Sequence, residues 1–215
     1  IALGLPEPLK KSADERKTLQ IEYEFTDSDP ELLITDQQHF LFRGIMDLEP
    51  EFKVQRAGVG LSGINPEIPT AGIRVEGFWP VVDYNKWYDF VTALPEGDPD
   101  QPNPIDLVDD IDAELGQAFF AGQEFKKLQV LARKEASSWQ VQLDSTAVKG
   151  SAQLPVTLAS RKPWRTDLDY LTLVVDEDEP VDVEEVVNPS MIPPLSVSIG
   201  RFSWGDRRLE SLRLV

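Results

Sequence analysis

The sequence contains no cysteine, a single histidine and far fewer basic than acidic residues. The absence of cysteine excludes disulfides, thiolate catalysis and cysteine-bound zinc or iron–sulfur centres. One histidine, His39, argues against a histidine-rich metal site and against a catalytic triad. The 21 Lys and Arg residues stand against 38 Asp and Glu, and the net charge of −17 repels nucleic acid and anionic membrane surfaces. We therefore expect no nucleic-acid partner, no metal and no other cofactor.

The chain also lacks a signal sequence and any apolar run of membrane-spanning length. It begins at Ile1, and we therefore expect it to be a segment of a longer protein. Its 215 residues, of which 41% are hydrophobic, are enough for a sizeable core. The absence of cysteine suits the cytoplasm and the periplasm equally well.

Alternation of apolar and polar side chains dominates the sequence. In residues 19–25, Leu19, Ile21, Tyr23 and Phe25 share one face, whereas the glutamine and glutamates between them share the other. This pattern predicts a strand with one polar face. Seventeen prolines and thirteen glycines are enough to separate many short strands. Further strands are predicted at 31–35, 39–48, 52–62, 71–78, 139–144, 151–158, 164–175 and 195–204.

One helix is predicted after the predicted strand 71–78. Asp83 can cap a segment from Asn85 to Leu94, in which Trp87 and Phe90 fall on the same face as Val91 and Leu94.

A proline-rich loop follows this helix. Residues 95–104 contain four prolines and one glycine, a composition typical of a loop or linker. The chain is expected to be one segment, 1–215, with possible sub-units 1–95 and 105–215 joined by this loop.

An internal repeat indicates whether residues 105–119, an ambiguous segment, form a helix or a strand. Residues 111–131 align with 195–215 without a gap when the chain is shifted by 84 residues. Residues 105–119 alone are compatible with a helix, but the second copy alternates like a strand. The repeat therefore favours a strand from Ile111 onward, and each copy predicts a strand, a tight turn at its glycine and a second strand.

Three motifs resemble ligand sites but lack essential parts. Gly58–Gly63 spells GxGxxG, but prolines follow where a nucleotide site needs a helix, so the glycines are expected to relieve crowding in a strand. Residues 98–103 begin like a calcium loop and then place Pro102 at a ligand position and Asn103 where the turn glycine belongs. The acidic stretch 176–189 is expected to be a solvated loop.

Five segments resemble the large YhdP proteins of Gram-negative bacteria, which are members of the AsmA-like superfamily. The segments follow one another in a consistent order and run nearly from end to end of the chain. They are patterns of spacing and composition rather than catalytic signatures: Gly4–Lys11, Val75–Trp87, Phe120–Val130, Pro163–Leu173 and Phe202–Leu214.

The resemblance implies a periplasmic segment toward the C-terminal part of a protein anchored in the inner membrane. It implies a long curved β-sheet that forms a hydrophobic groove, similar to the bridge-like lipid carriers. It also implies a role in moving phospholipid toward the outer membrane and in the permeability barrier. The family offers no catalytic residues to carry over, and we expect no enzymatic activity.

The alternation and the resemblance together predict a mainly β fold, a curved, groove-like antiparallel sheet with one or two short helices. We expect its apolar face to shield phospholipid acyl chains between the two membranes. The expected partners are phospholipid, the remainder of the parent chain and other envelope proteins. The residues predicted to line the groove are Ile21, Tyr23, Phe25, Phe40, Phe42, Val141 and Leu143.

Two other functions remain open from the sequence. In the first, the chain is a structural or protein-interaction domain whose apolar face is entirely core and whose acidic loops bind a basic partner. In the second, more distant alternative, two of the 38 acidic residues meet as the carboxylate pair of a hydrolase. An extensive exposed apolar surface would favour the lipid hypothesis over both.

Overall fold

The computed structural model describes residues 6–7, 10, 18–25, 29–36, 38–47, 53–93, 104–120, 122–156, 163–174 and 194–214. These residues form thirteen strands, one α-helix and one short 3-10 helix. The α-helix, α1, is Tyr84–Thr92, and the 3-10 helix is Pro104–Leu107. The strands are β1 (Gln20–Glu24), β2 (Glu31–Thr35), β3 (Phe40–Asp47), β4 (Lys53–Leu61), β5 (Gly72–Asp83), β6 (Val108–Phe120), β7 (Gln123–Glu135), β8 (Ser138–Asp144), β9 (Val148–Pro155), β10 (Trp164–Leu173), β11 (Leu195–Trp204), β12 (Arg207–Leu209) and β13 (Leu212–Leu214).

All thirteen strands belong to one large, open, mixed sheet. The chain divides into two compact units, Ile1–Leu131 and Ala132–Val215, and the boundary between them falls inside β7. In the first unit β1 to β6 are hydrogen-bonded in chain order. In the second unit β8 to β11 follow chain order, and β12 and β13 both pair with β11. Most of the loop predicted at 95–104 lies outside the described residues, so the sub-units 1–95 and 105–215 stay a prediction.

The predicted mainly β fold is confirmed, but its sheet is not antiparallel throughout. The pairs β4–β5, β5–β6 and β10–β11 are parallel, whereas the other described pairs are antiparallel. Alternation shows which side chains share a face but does not show the direction of the neighbouring strand. A parallel pair needs a connection that runs back along the sheet. Residues 62–71 can do so, because ten residues span about 33 Å and the paired part of β4 is only Arg56–Leu61.

The repeat correctly predicts two strand–turn–strand segments. β6 leads to β7 at Gly122 and β11 leads to β12 at Gly205, and both glycines have positive φ, 73° and 54°. Such a conformation is readily adopted by glycine, which lacks a Cβ. The strand expected from Ile111 begins at Val108, directly after the 3-10 helix.

Cross-strand register collects apolar residues on one face of the first unit. One row crosses all six strands from β1 to β6, and every member is apolar. Directly paired residues share a face, as do residues two positions along each strand, so the adjacent rows belong to the same surface. We call this surface the first apolar face: Ile21, Ile34, Phe42, Val59, Val75 and Ile111; Tyr23, Leu32, Gly44, Ala57 and Ile73; Phe40, Leu61, Gly77 and Ala113; and Trp79 with Leu115.

The opposite face of the first unit, the charged face, carries ion pairs. Arg43 Nε lies 2.7 Å from Glu31 Oε1, and Arg74 Nε lies 3.2 Å from Glu76 Oε2. Arg74 also reaches Asp112 on β6, at 3.8 Å. These side chains keep a fifth or more of their surface exposed, so each pair contributes no more than about 1 kcal/mol. The difference in polarity therefore defines which side of the sheet can remain in water.

The β4–β5 connection, residues 62–71, crosses the charged face, and we call it the strap. Pro66 of the strap is fully buried, and the backbone N–H of Glu67 donates to Glu76 Oε1 at 3.1 Å. A Cβ on Gly58 would lie 2.6 Å from the Glu67 carbonyl oxygen, and one on Gly60 would collide with the carbonyl oxygen of Ile64. Gly58 and Gly60, the first two glycines of the GxGxxG motif, therefore leave room for the strap, which is not helical.

The second unit has the same division between an apolar and a polar face. Neighbouring strands place Val141, Ala152 and Val197 on one side, with Thr166 between the last two. We call this surface the second apolar face: Trp139, Val141, Leu143, Ala152, Leu154, Leu168, Val197 and Ile199. The residues that alternate with these form a polar face, which includes Gln140, Gln153, Arg165 and Ser196.

Candidate functional site

The five groove residues predicted in the first unit lie on one surface. Ile21 and Phe42 belong to the six-strand row of the first apolar face, and Tyr23 and Phe40 lie in the rows on either side. Phe25 follows the end of β1, and its ring meets that of Tyr23 edge to face, with centroids 4.4 Å apart. The structure thus brings together side chains from β1 and β3, two strands that do not pair with each other.

The two groove residues predicted in the second unit also share a surface. Val141 and Leu143 lie on the second apolar face, where they pair with Ala152 and Gly150. Both positions alternate along β8 with glutamines that point to the other side. Each unit therefore presents its own apolar face.

Much of the first apolar face comes from residues that the sequence did not single out. Val59, Val75 and Ile111 extend the row across β4, β5 and β6, and Trp79 lies further along β5. The strand β5 is parallel to both of its neighbours, β4 and β6, so no hairpin turn in the sequence marks these strands as partners. On β4, the sequence signal that could have indicated the face is the alternation of residues 57, 59 and 61 with glycine. This pattern predicts one apolar face and one face that another part of the chain approaches closely.

The first apolar face is open toward its β1 edge. Ile21 is 62% exposed and Phe25 is 80% exposed. All the described strands belong to the same sheet. Among the described residues, the large side chains that are fully buried are Met46 and Pro66. This is the burial expected of a single layer with one apolar side.

The helix α1 covers the other end of the first apolar face. The Trp87 and Trp79 rings meet edge to face at 5.2 Å between centroids, and the Phe90 ring lies 5.9 Å from that of Trp87. The Trp87 Nε1–H donates to the backbone carbonyl of Glu7 at 3.1 Å. The helix thus places its aromatic stripe on the surface that Trp79 and Leu115 contribute.

Asp83 caps the N-terminus of α1, as the sequence predicts. Its carboxylate accepts the backbone N–H of Lys86 at 3.2 Å and lies 3.0 Å from Lys86 Nζ. The hydrogen bond from the Lys86 side chain is the main reason why the pKa of Asp83 falls below its ordinary value. The helix extends over Tyr84–Thr92, close to the predicted 85–94, and Leu94 lies outside the described residues.

An aromatic cluster lies beside the helix. The Tyr84 ring meets those of Tyr88 and Phe120 at 6.0 and 5.1 Å between centroids. Burial, together with the nearby Tyr88, raises the pKa of Tyr84. Each of the three residues keeps roughly two fifths or more of its surface in solvent, so the cluster is only partly buried.

Two polar atoms enclosed within the first apolar face have no hydrogen-bond partner in the part of the chain that the structure describes. They are Tyr23 Oη and Trp79 Nε1. An unpaired buried donor costs about 1–3 kcal/mol. Covering the end of the first apolar face near Trp79 therefore stabilises the fold less than the burial of apolar surface alone would.

The described residues contain no group of three or more acidic or histidine side chains arranged to hold a metal ion. No helix in the described ranges is long and apolar enough to cross a membrane. The arrangement that stands out is therefore the pair of sheet faces of opposite polarity.

These observations define a class of protein, a large open sheet with one apolar and one charged or polar face. The model of the YhdP protein family matches residues 1–214, and the chain belongs to this family. Membership suggests an AsmA-like envelope protein. Comparison with curated proteins and with solved structures finds no match.

Proposed function

We propose that this chain is a periplasmic segment of an inner-membrane-anchored envelope protein that transports phospholipid between the inner and outer membranes. The first apolar face shields the acyl chains, and it belongs to a curved, groove-like surface. Family membership supports this proposal. The observation that carries it is the row of apolar residues across six strands, from Ile21 to Ile111, with the ion pairs Arg43–Glu31 and Arg74–Glu76 on the opposite face.

The dimensions of the first apolar face suit an acyl chain. Six strands span about 24 Å at roughly 4.8 Å per spacing, and the nine residues of β4 span about 30 Å. One leaflet of hydrocarbon is about 15 Å deep. Shielding about ten CH₂ groups contributes about 8 kcal/mol before the loss of motional freedom is subtracted. Partial cover on one side therefore holds a chain without a closed pocket.

A transport surface of this kind needs little selectivity along its length. The six-strand row contains aliphatic and aromatic side chains and no charged group, so it distinguishes hydrocarbon from water rather than one lipid from another. We propose no reaction for the chain. Its proposed partners are phospholipid, the remainder of the parent chain and other envelope proteins.

A structural or protein-interaction domain would instead bury its apolar face as core. The exposed side chains of Ile21 and Phe25 at the β1 edge favour the lipid proposal over this alternative. The acidic stretch 176–189, on which the alternative depends, lies outside the described residues.

The test is native mass spectrometry of the chain purified gently from a membrane-containing lysate, with Phe42→Glu as the central variant. Phe42 lies in the middle of the six-strand row. A carboxylate against hydrocarbon costs about 3 kcal/mol, so we expect phospholipid binding to weaken by about two orders of magnitude.

Leu33→Glu is the matched control. Leu33 is half-buried like Phe42, but it lies on the charged face between Glu22 and Arg43. We expect this variant to retain phospholipid, and thermal unfolding shows whether both variants are folded. A wild-type chain that carries no phospholipid and takes up none from vesicles would refute the proposal. Equal loss of lipid in two folded variants would show that the first apolar face is not the binding surface.

A further inference from the structure

The helix α1 occupies part of the surface to which we assign the acyl chains. Trp79 and Leu115 pair across β5 and β6, next to the row that ends at Ala113, so they continue the first apolar face. The Trp87 ring is seated on Trp79, at 5.2 Å between centroids, and both Trp87 and Phe90 are half-buried. The helix therefore places apolar rings where hydrocarbon would otherwise lie.

The helix α1 is attached by packing against the rest of the first unit. Its nine residues are fewer than the roughly 12–15 that an isolated helix needs in water, so it depends on docking for its stability. The Trp87 Nε1–H donates to the Glu7 carbonyl, and the Tyr84 ring meets that of Phe120 on β6, so the aromatic side chains of the helix join it to other parts of the first unit. Trp79 Nε1, whose ring packs against Trp87, is enclosed without a hydrogen-bond partner among the described residues, and we expect this donor to regain water when the helix moves away.

We propose that α1 is a displaceable cover of the first apolar face, and that an acyl chain reaching Trp79 and Leu115 takes the place of Trp87 and Phe90. This inference rests on the proposed function and adds a regulation to the same surface. The helix and the acyl chain compete, so the covered end opens when lipid arrives along the face from the β1 side.

An acyl chain is the occupant that the contacts favour. The groups now seated on Trp79 are hydrocarbon rings without charge, and the neighbouring row from Ile111 to Ile21 is continuous apolar surface. The exposed side of the helix carries Asn85 and Lys86, which remain in water whether α1 is docked or displaced. A charged peptide would leave its charges unpaired against this surface.

A nitroxide on α1 reports displacement directly. The chain has no cysteine, so Asn85→Cys introduces a single attachment point at an exposed position of the helix. The probe is phosphatidylethanolamine vesicles, and native mass spectrometry of the same sample counts the bound lipid. We expect the immobile component of the spectrum to decrease as bound lipid increases. A label at Asp206→Cys, in the turn between β11 and β12, serves as the control and should not respond.

A second variant removes the docking stripe. In Trp87→Ala with Phe90→Ala, we expect the Asn85→Cys label to be mobile before lipid is added. If the open form makes up about a tenth of wild-type molecules, the apparent dissociation constant for phospholipid falls about tenfold. Thermal unfolding of the sheet verifies that each variant is folded.

The outcomes separate this inference from the proposed function. A label that stays immobile while the same sample binds phospholipid overturns the displaceable cover and leaves the proposed function intact. Tighter binding of phospholipid by the stripe variant than by the wild type supports the cover. No binding by either folded protein refutes the proposed function and this inference with it.

Discussion

Gly60→Ala tests whether the strap, rather than a nucleotide, is the reason for the glycine motif. The new Cβ would collide with the carbonyl oxygen of Ile64 and lie 2.9 Å from Pro66 Cδ. The backbone of the strap cannot rotate away as a side chain can, so we expect the strap to lift and expose Pro66, which is otherwise fully buried. The substitution therefore perturbs the charged face and leaves the first apolar face untouched.

The cost follows from the groups that lose their contacts. The three ring CH₂ groups of Pro66 contribute about 2 kcal/mol at roughly 0.8 kcal/mol each. The hydrogen bond from the Glu67 N–H to Glu76 contributes about 1 kcal/mol more. A total of about 3 kcal/mol lowers the melting temperature of a chain of this size by about 6–12 °C. Thermal unfolding followed by circular dichroism measures this change.

Gly44→Ala is the matched control. It is also a buried strand glycine, but its Cβ would meet the tip of the Phe42 ring, at 2.7 Å, rather than backbone. The ring can rotate, and alanine restricts the unfolded chain, which is worth about 0.4–1 kcal/mol. We expect little net change. If Gly60→Ala were as stable as Gly44→Ala, the steric explanation of the motif would be refuted.

Two further predictions concern titration and capping. Burial raises the pKa of Asp36, but hydrogen bonds from the backbone and side chain of His39 and from the backbone of Phe40 outweigh it and lower the pKa below 3.8. This carboxylate therefore stabilises the fold above its ordinary pKa and ceases to do so as the pH falls through the folded value. Urea unfolding should show Asp36→Asn losing less stability than wild type between about pH 5 and about pH 3, and parallel pH curves would contradict the assignment. Asp83→Ala removes the N-cap of α1, which costs about 1 kcal/mol of helix stability. We expect the Asn85→Cys nitroxide to become more mobile before lipid is added. An unchanged spectrum would show that docking alone holds the helix.

The sequence determined the positions and the two-sidedness of the strands. Alternation in 19–25 places Ile21 and Tyr23 on one side, and the same argument applies to Val141 and Leu143, because side chains in a strand alternate whatever the strand pairs with. The capping role of Asp83 is equally local, since its carboxylate reaches a backbone N–H three residues away. These features follow from the chain itself.

Only the tertiary structure decided which strands pair and in which direction. The parallel partners of β5 depend on connections that leave no periodic signal, so the row from Ile21 to Ile111 could not be assembled from the sequence. The spaces at Gly58 and Gly60 are filled by a strap that turns back over the sheet. The packing of Trp87 against Trp79 also depends on the tertiary structure, because either ring could have packed elsewhere on an apolar surface. The periodicity of apolar residues shows which face of its strand each residue occupies. The register between strands and the packing of α1 on the sheet depend instead on the free energy of the whole fold.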